Sequence, residues 1–126
     1  MNTGESNTND IENNVAIGKS AGCYTKANGN VFIGGQAGYR NRTGRNNVIV
    51  GNNALGTNWG NGNVFIGPAI ESNSSLEFST GLGFMATPTK SYQMMLGSTY
   101  ISEVVFCGNK KINFNNDGTV TWETLT

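Results

Sequence analysis

One pentapeptide recurs four times in the first half of this chain, and it limits the possible folds more than any other feature. Its copies are Asn14-Val15-Ala16-Ile17-Gly18, Asn30-Val31-Phe32-Ile33-Gly34, Asn47-Val48-Ile49-Val50-Gly51 and Asn63-Val64-Phe65-Ile66-Gly67, with starts 16, 17 and 16 residues apart. Three copies continue through two variable residues to an Ala, as Ala21-Gly22, Ala37-Gly38 and Ala54-Leu55. Turn sequences separate them: Lys26-Ala27-Asn28-Gly29, Arg42-Thr43-Gly44-Arg45 and Trp59-Gly60-Asn61-Gly62. Self-similarity at a fixed period marks a repeat architecture in which each unit packs only on its neighbours. A period near 16 is too short for two helices or a propeller blade. It fits one coil of a β-solenoid: a short strand, a bend at Gly, a second short segment at the Ala, and a turn back to the start.

Composition agrees. Of 126 residues, 18 are Gly and 20 are Asn. Both types tolerate positive φ and are poor helix formers, which argues against a helical protein. The repeat gives them fixed places as bends and ladder positions. The length suits one ordinary domain. With no His in the chain, Ser-His-Asp and Cys-His nucleophile pairs and the commonest metal ligand are excluded. Eight basic and eight acidic residues cancel, which speaks against a nucleic-acid partner. No apolar run is long enough to span a membrane, and the polar start MNTGESNTNDIENN has no signal-like apolar core. Cys23 and Cys107 read as free thiols. No cofactor is expected.

Within a strand, alternate residues point to opposite faces. The pattern is read here with Val15, Ile17, Val31, Ile33, Val48, Val50, Val64 and Ile66 forming the coil core. Ala16, Phe32, Ile49 and Phe65 then form an outward apolar stripe, roughly 15–20 Å long over four coils. A monomer rarely leaves such a stripe in water. Burying each Phe or Ile is worth about 1.5–3 kcal/mol, so these four residues are expected at an oligomer interface. Asn14, Asn30, Asn47 and Asn63 recur at one point of the coil and are expected to hydrogen-bond as a ladder.

The N-V-x-I-G-x-x-A-G pattern resembles the head repeats of trimeric autotransporter adhesins and the related repeats of phage and large-virus tail or head fibres. The resemblance covers about residues 13–70. It implies three chains packing their coils side by side around a threefold axis. Two departures stand out: the spacing is longer than that of the tightest adhesin repeat, which implies larger turns, and a secretion signal and membrane anchor are lacking, which points to the viral-fibre branch.

The expected organisation is a flexible polar segment (1–12), a four-unit solenoid (13–70), and a region of short strands ending in a hairpin (71–126). The hairpin pairs Lys111-Ile112-Asn113-Phe114 with Thr119-Val120-Thr121-Trp122 around Asn115-Asn116-Asp117-Gly118. Gly81-Leu82-Gly83-Phe84-Met85-Ala86 fits the dinucleotide pattern G-x-G-x-x-A, but no helix follows it, so it reads as a turn. Asn113, Asn115 and Asp117 imitate the start of a calcium loop, yet Thr124 stands where the bidentate Glu belongs, so this too reads as a turn. Tyr24, Tyr39 and Trp59 end the second segment of successive coils beside Arg40, Arg42 and Arg45. They read mainly as packing and solvated turn, with Tyr24, Tyr39, Arg40, Arg42 and Trp59 as candidate receptor contacts.

The resulting expectation is all-β: a trimeric β-solenoid (β-roll or β-helix) with a C-terminal β-hairpin region. The expected role is non-enzymatic and structural. It is a homotrimeric tail-fibre, head-fibre or capsid-decorating component of a virion, assembled in the host cytoplasm, with other virion proteins and a host surface glycan as partners. The alternative is the head fragment of a bacterial surface adhesin that binds glycans. An enzyme is disfavoured because the acids are scattered and never paired on adjacent coils.

Overall fold

The computed structural model describes residues 12–54, 60–72, 75–106 and 110–124. Six three-residue strands, β1 (Val15–Ile17), β2 (Val31–Ile33), β3 (Val48–Val50), β4 (Val64–Ile66), β5 (Thr80–Leu82) and β6 (Met94–Leu96), form one parallel sheet in sequence order. Each strand pairs in register with the next, so that Ala16, Phe32, Ile49, Phe65, Gly81 and Met95 stand in one column. The described residues contain no helix, and the chain winds as a β-solenoid of about five turns.

The coil therefore runs to Leu96, beyond the end at residue 70 read from the repeat. The reason is chemical divergence on a conserved geometry. Ser79 takes the Asn position and Gly81 the Phe position, and Gly83-Phe84-Met85-Ala86 repeats the Gly-x-x-Ala corner. The dinucleotide-like stretch is thus β5 and its bend.

Each coil bends through left-handed backbone at equivalent points. Gly18, Gly34, Gly51, Gly67 and Gly83 have φ between 113° and 149°. A Cβ on Gly34 would lie 2.5 Å from the Gly51 carbonyl oxygen, so coils meet here backbone to backbone. Ser20, Gln36, Asn53, Ala69 and Met85 stack at φ of 52–59°. Asn13, Gly29, Asn46, Gly62, Phe78 and Tyr92 stack at φ of 50–75°. These left-handed corners account for much of the Gly excess, whereas among the described residues Asn13, Asn46 and Asn53 are the asparagines that occupy them.

The interior is the reverse of the sequence reading. Phe32, Ile49 and Phe65 are fully buried within the single chain. They pack with Ala21, Ala37, Ala54, Ile70, Leu76 and Ala86, and Ala16 and Met95 pack against them. Val15, Ile17 and Ile66 are exposed, and Val31, Ile33, Val48, Val50 and Val64 are half-buried. Ala16, Phe32, Ile49 and Phe65 are therefore core rather than interface, and the Val/Ile positions face outward. Alternation fixes two faces but not their sign. Volume decides it, because the opposite wall is built from Ala and leaves room for a ring. Gly22 and Gly38 flank the Phe32 ring, where a Cβ on Gly22 would come within 2.6 Å of it, and Phe65 leans over Gly81.

The Asn column forms the expected ladder. Asn14 Oδ1 accepts from Asn30 N (2.7 Å), Asn30 Oδ1 from Asn47 N (3.0 Å), Asn47 Oδ1 from Asn63 N (2.9 Å) and Asn63 Oδ1 from Ser79 N (2.9 Å). The side-chain amides donate across the coil, Asn14 to Ala27 O, Asn47 to Gly60 O and Asn63 to Leu76 O. Asn30, Asn47 and Asn63 are fully buried, as this degree of satisfaction permits.

Strands β7 (Glu103–Phe106), β8 (Lys110–Phe114) and β9 (Val120–Thr124) form a separate antiparallel sheet. Asp117 Oδ1 closes the β8–β9 turn by accepting from the Thr119 hydroxyl (2.6 Å) and backbone N–H (2.9 Å). On one face Lys111 lies 3.2 Å from both Glu103 and Glu123. The other face carries Val104, Ile112, Phe114, Val120 and Trp122 by register. Hydrogen bonds from Thr119 hold the Asp117 carboxyl below its ordinary range, and those from Asn113 and Lys111 do the same for Glu123. Bonds to Glu103 and Glu123 hold the Lys111 ammonium above its ordinary range. The carboxylate contributions are present above the ordinary carboxylate range and are lost as pH falls through the depressed values. The Lys111 contribution is lost only as pH rises through its own raised value. Acidification from about pH 5 towards pH 1 is expected to lower amide-exchange protection, corrected for intrinsic rates, in β7–β9 but not in the amide-bonded coils. Equal loss in both sheets would contradict it.

Candidate functional site

One candidate surface is the outward face of the β1–β6 sheet. Its two columns are Val15, Val31, Val48, Val64, Thr80, Met94 and Ile17, Ile33, Val50, Ile66, Leu82, Leu96. Eleven of these twelve side chains are apolar, and the face is roughly 24 Å long at one strand spacing per coil. It is wet in the single chain, with Ile17 56% exposed and Met94 69% exposed. The sequence repeat carried eight of these residues under the wrong sign. Leu82, Met94 and Leu96 escaped it because their strands had lost the Asn-Val start.

At a corner of the first two coils, Tyr24 and Tyr39 meet edge to face with ring centroids 5.0 Å apart, and the Tyr39 hydroxyl donates to that of Tyr24 (3.4 Å). That bond, followed by the charge interaction with Tyr24, raises the Tyr39 phenol above its ordinary pKa, while Arg40 acts against it. Lys26 N donates to Arg42 O (2.9 Å), which brings Lys26 and Arg42 to adjacent coils, and the Arg40, Arg42 and Lys26 side chains are exposed. The structure thus gathers Tyr24, Tyr39, Arg40 and Arg42. Trp59 and Cys107 lie outside the described residues, and Cys23 is a free thiol. This corner can present aromatic edges and cations to a ligand, but it holds no nucleophile–base pair. Among the described residues no group of three His, Cys, Asp or Glu is placed to hold a metal ion, and no helix is long and apolar enough to cross a membrane.

A second aromatic corner was not legible in the repeat. Phe78 and Tyr92 occupy the left-handed column that precedes the ladder, at φ of 50° and 61°, where earlier coils place Asn or Gly. Left-handed backbone costs a side-chain-bearing residue roughly 1–2 kcal/mol. The two rings stack at 5.6 Å with 23° between planes, which returns about 0.5–1.5 kcal/mol. The signal that would have found them is the 16-residue step from Gly62 to Phe78, read on the corner rather than on the pentapeptide.

No protein-family model, curated protein or solved structure matches this chain.

Proposed function

We propose that the chain is a non-enzymatic structural component of a virion fibre or spike, assembled as a homotrimer through the outward Val/Ile face of its β1–β6 sheet. The observation that carries this reading is that face: two columns, apolar at eleven of twelve positions and six strands deep, on an in-register parallel sheet. Soluble monomers seldom expose a continuous patch of that kind, and a second copy of the same face is its natural complement. The resemblance of the repeats to trimeric fibre heads supports three copies rather than two. The stacked coils supply stiffness, and threefold display of each corner turns weak contacts into avidity. Sedimentation at micromolar concentration is expected to give about three times 13.4 kDa. A folded species at 13.4 kDa would overturn the reading. Antibody labelling in electron micrographs is expected on virus particles.

The second reading is the head of a bacterial surface adhesin that contacts glycans. The Tyr24–Tyr39 pair beside Arg40 and Arg42 favours it, because aromatic edges with cations suit an anionic saccharide. Labelling of the bacterial envelope instead of particles would select it.

A further inference from the structure

We propose that Phe78 and Tyr92 form a binding site for a neutral saccharide, in which a pyranose ring seats on the outer face of Tyr92 and continues the column of rings. The column begins at Gly62, where a Cβ would lie 2.7 Å from Phe78 Cδ1, so the Phe78 ring rests against that corner. Tyr92 stacks on Phe78, and β6 is the last strand of the parallel sheet, so among the described residues no further coil follows Tyr92 in the column. The rings are 57% and 75% exposed. Stability alone favours Asn or Gly at these corners, as in the preceding coils. Two exposed aromatics in left-handed backbone are a strain retained against that preference, and strain of this kind points to function.

The neighbouring column supplies the polar groups that a sugar needs. Asn61 Nδ2 donates to Glu77 Oε1 (3.4 Å), and Ser91 Oγ accepts from Glu77 N (3.0 Å). The Glu77 carboxylate and the Ser91 hydroxyl thus stand one residue from the rings, with the Asn61 amide one coil below on Glu77, to exchange hydrogen bonds with sugar hydroxyls while the apolar C–H face lies on Tyr92. Glu77 and Lys90 put one charge of each sign beside Ser91, which favours neither an anion nor a cation. Every group belongs to one chain, so the site does not depend on the trimer reading. It is also separate from the Tyr24–Tyr39 corner.

The test uses the full chain with chitotetraose, maltotetraose and cellotetraose, read by saturation transfer from protein to sugar protons and by titration. At least one of the three is expected to bind. Tyr92→Asn and Phe78→Asn are each expected to weaken that binding at least tenfold, while Tyr100→Asn, at an exposed tyrosine outside both aromatic corners, leaves it unchanged. Both corner variants should keep the oligomeric mass and melt no lower than the parent, because Asn is tolerated at this φ. The proposal is overturned if no probe binds, or if the corner variants bind like the parent. It is equally overturned if they melt lower or lose mass, since the rings would then be packing or subunit contact.

Discussion

Ile33→Asp combined with Ile66→Asp is expected to give a folded 13.4 kDa monomer, whereas Phe32→Asp combined with Phe65→Asp is expected to give no folded protein. The four positions differ by a single residue step along two strands, so the contrast tests which face is which. Phe32 and Phe65 are fully buried among Ala21, Ala37, Ala54 and Ile70. Truncating one such ring costs about 3–5 kcal/mol, and a buried carboxylate without a partner adds several more. Two such changes exceed the roughly 5–15 kcal/mol that holds a domain together. Ile33 and Ile66 lie on the wet face, where a carboxylate in the single chain meets water. In the proposed assembly the same two carboxylates, on each of three chains, would face one another in an apolar seam. Circular dichroism and sedimentation separate the outcomes. A trimer that survives the Ile33/Ile66 pair would remove the proposed interface, and a folded Phe32/Phe65 variant would refute the core.

Asn47→Ala is the second large effect. It deletes four hydrogen bonds: those from Asn47 Nδ2 to Asn30 Oδ1 and Gly60 O, and those that Asn63 N and Nδ2 make to Asn47 Oδ1. The Asn63 backbone N–H, buried at the coil interior, loses its acceptor. An orphaned buried donor costs about 1–3 kcal/mol by itself. Asn47→Asp keeps the acceptor but buries a carboxylate against the Gly60 carbonyl. Its folded pKa is raised, so its penalty is absent at low pH and grows as pH rises through the ordinary carboxylate range. Chemical denaturation of both variants at acid and neutral pH is the measurement. Asn47→Asp that is no more stable in acid would show that the ladder position is solvated.

Period and ladder were readable because both depend on spacing alone. Steps of sixteen or seventeen residues put Asn14, Asn30, Asn47 and Asn63 in one column whatever surrounds them, and the column can satisfy itself. The sign of the strand faces was not readable, because Val-Phe-Ile is apolar on both sides. What decides it is the volume opposite: Ala21, Ala37 and Ala54 leave a cavity that suits Phe32 and Phe65, and that information lies in a different segment of each coil. The coils past residue 70 were missed for a related reason. Ser79 and Gly81 preserve the geometry of Asn63 and Phe65 while discarding their identity, since Ser also bonds across the coil and Gly makes room for the ring below. The repeat placed Tyr24 and Tyr39 at successive turns as packing residues without naming them a pair, whereas the Phe78–Tyr92 stack sat on a corner that the pentapeptide does not mark.

The Asn ladder has a direction, since every Oδ1 accepts from the coil that follows it and the series closes on Ser79. Any whole coil inserted before Ser79 would inherit an acceptor from below and offer one above, leaving its neighbours' bonding unchanged. The reach of such a molecule therefore changes in fixed increments, one cassette of about sixteen residues adding one strand spacing, roughly 4.8 Å. A cassette of the wrong length would break the amide series at one point. Lengthening or shortening by whole units is then the path of least disruption open to descendants of this sequence.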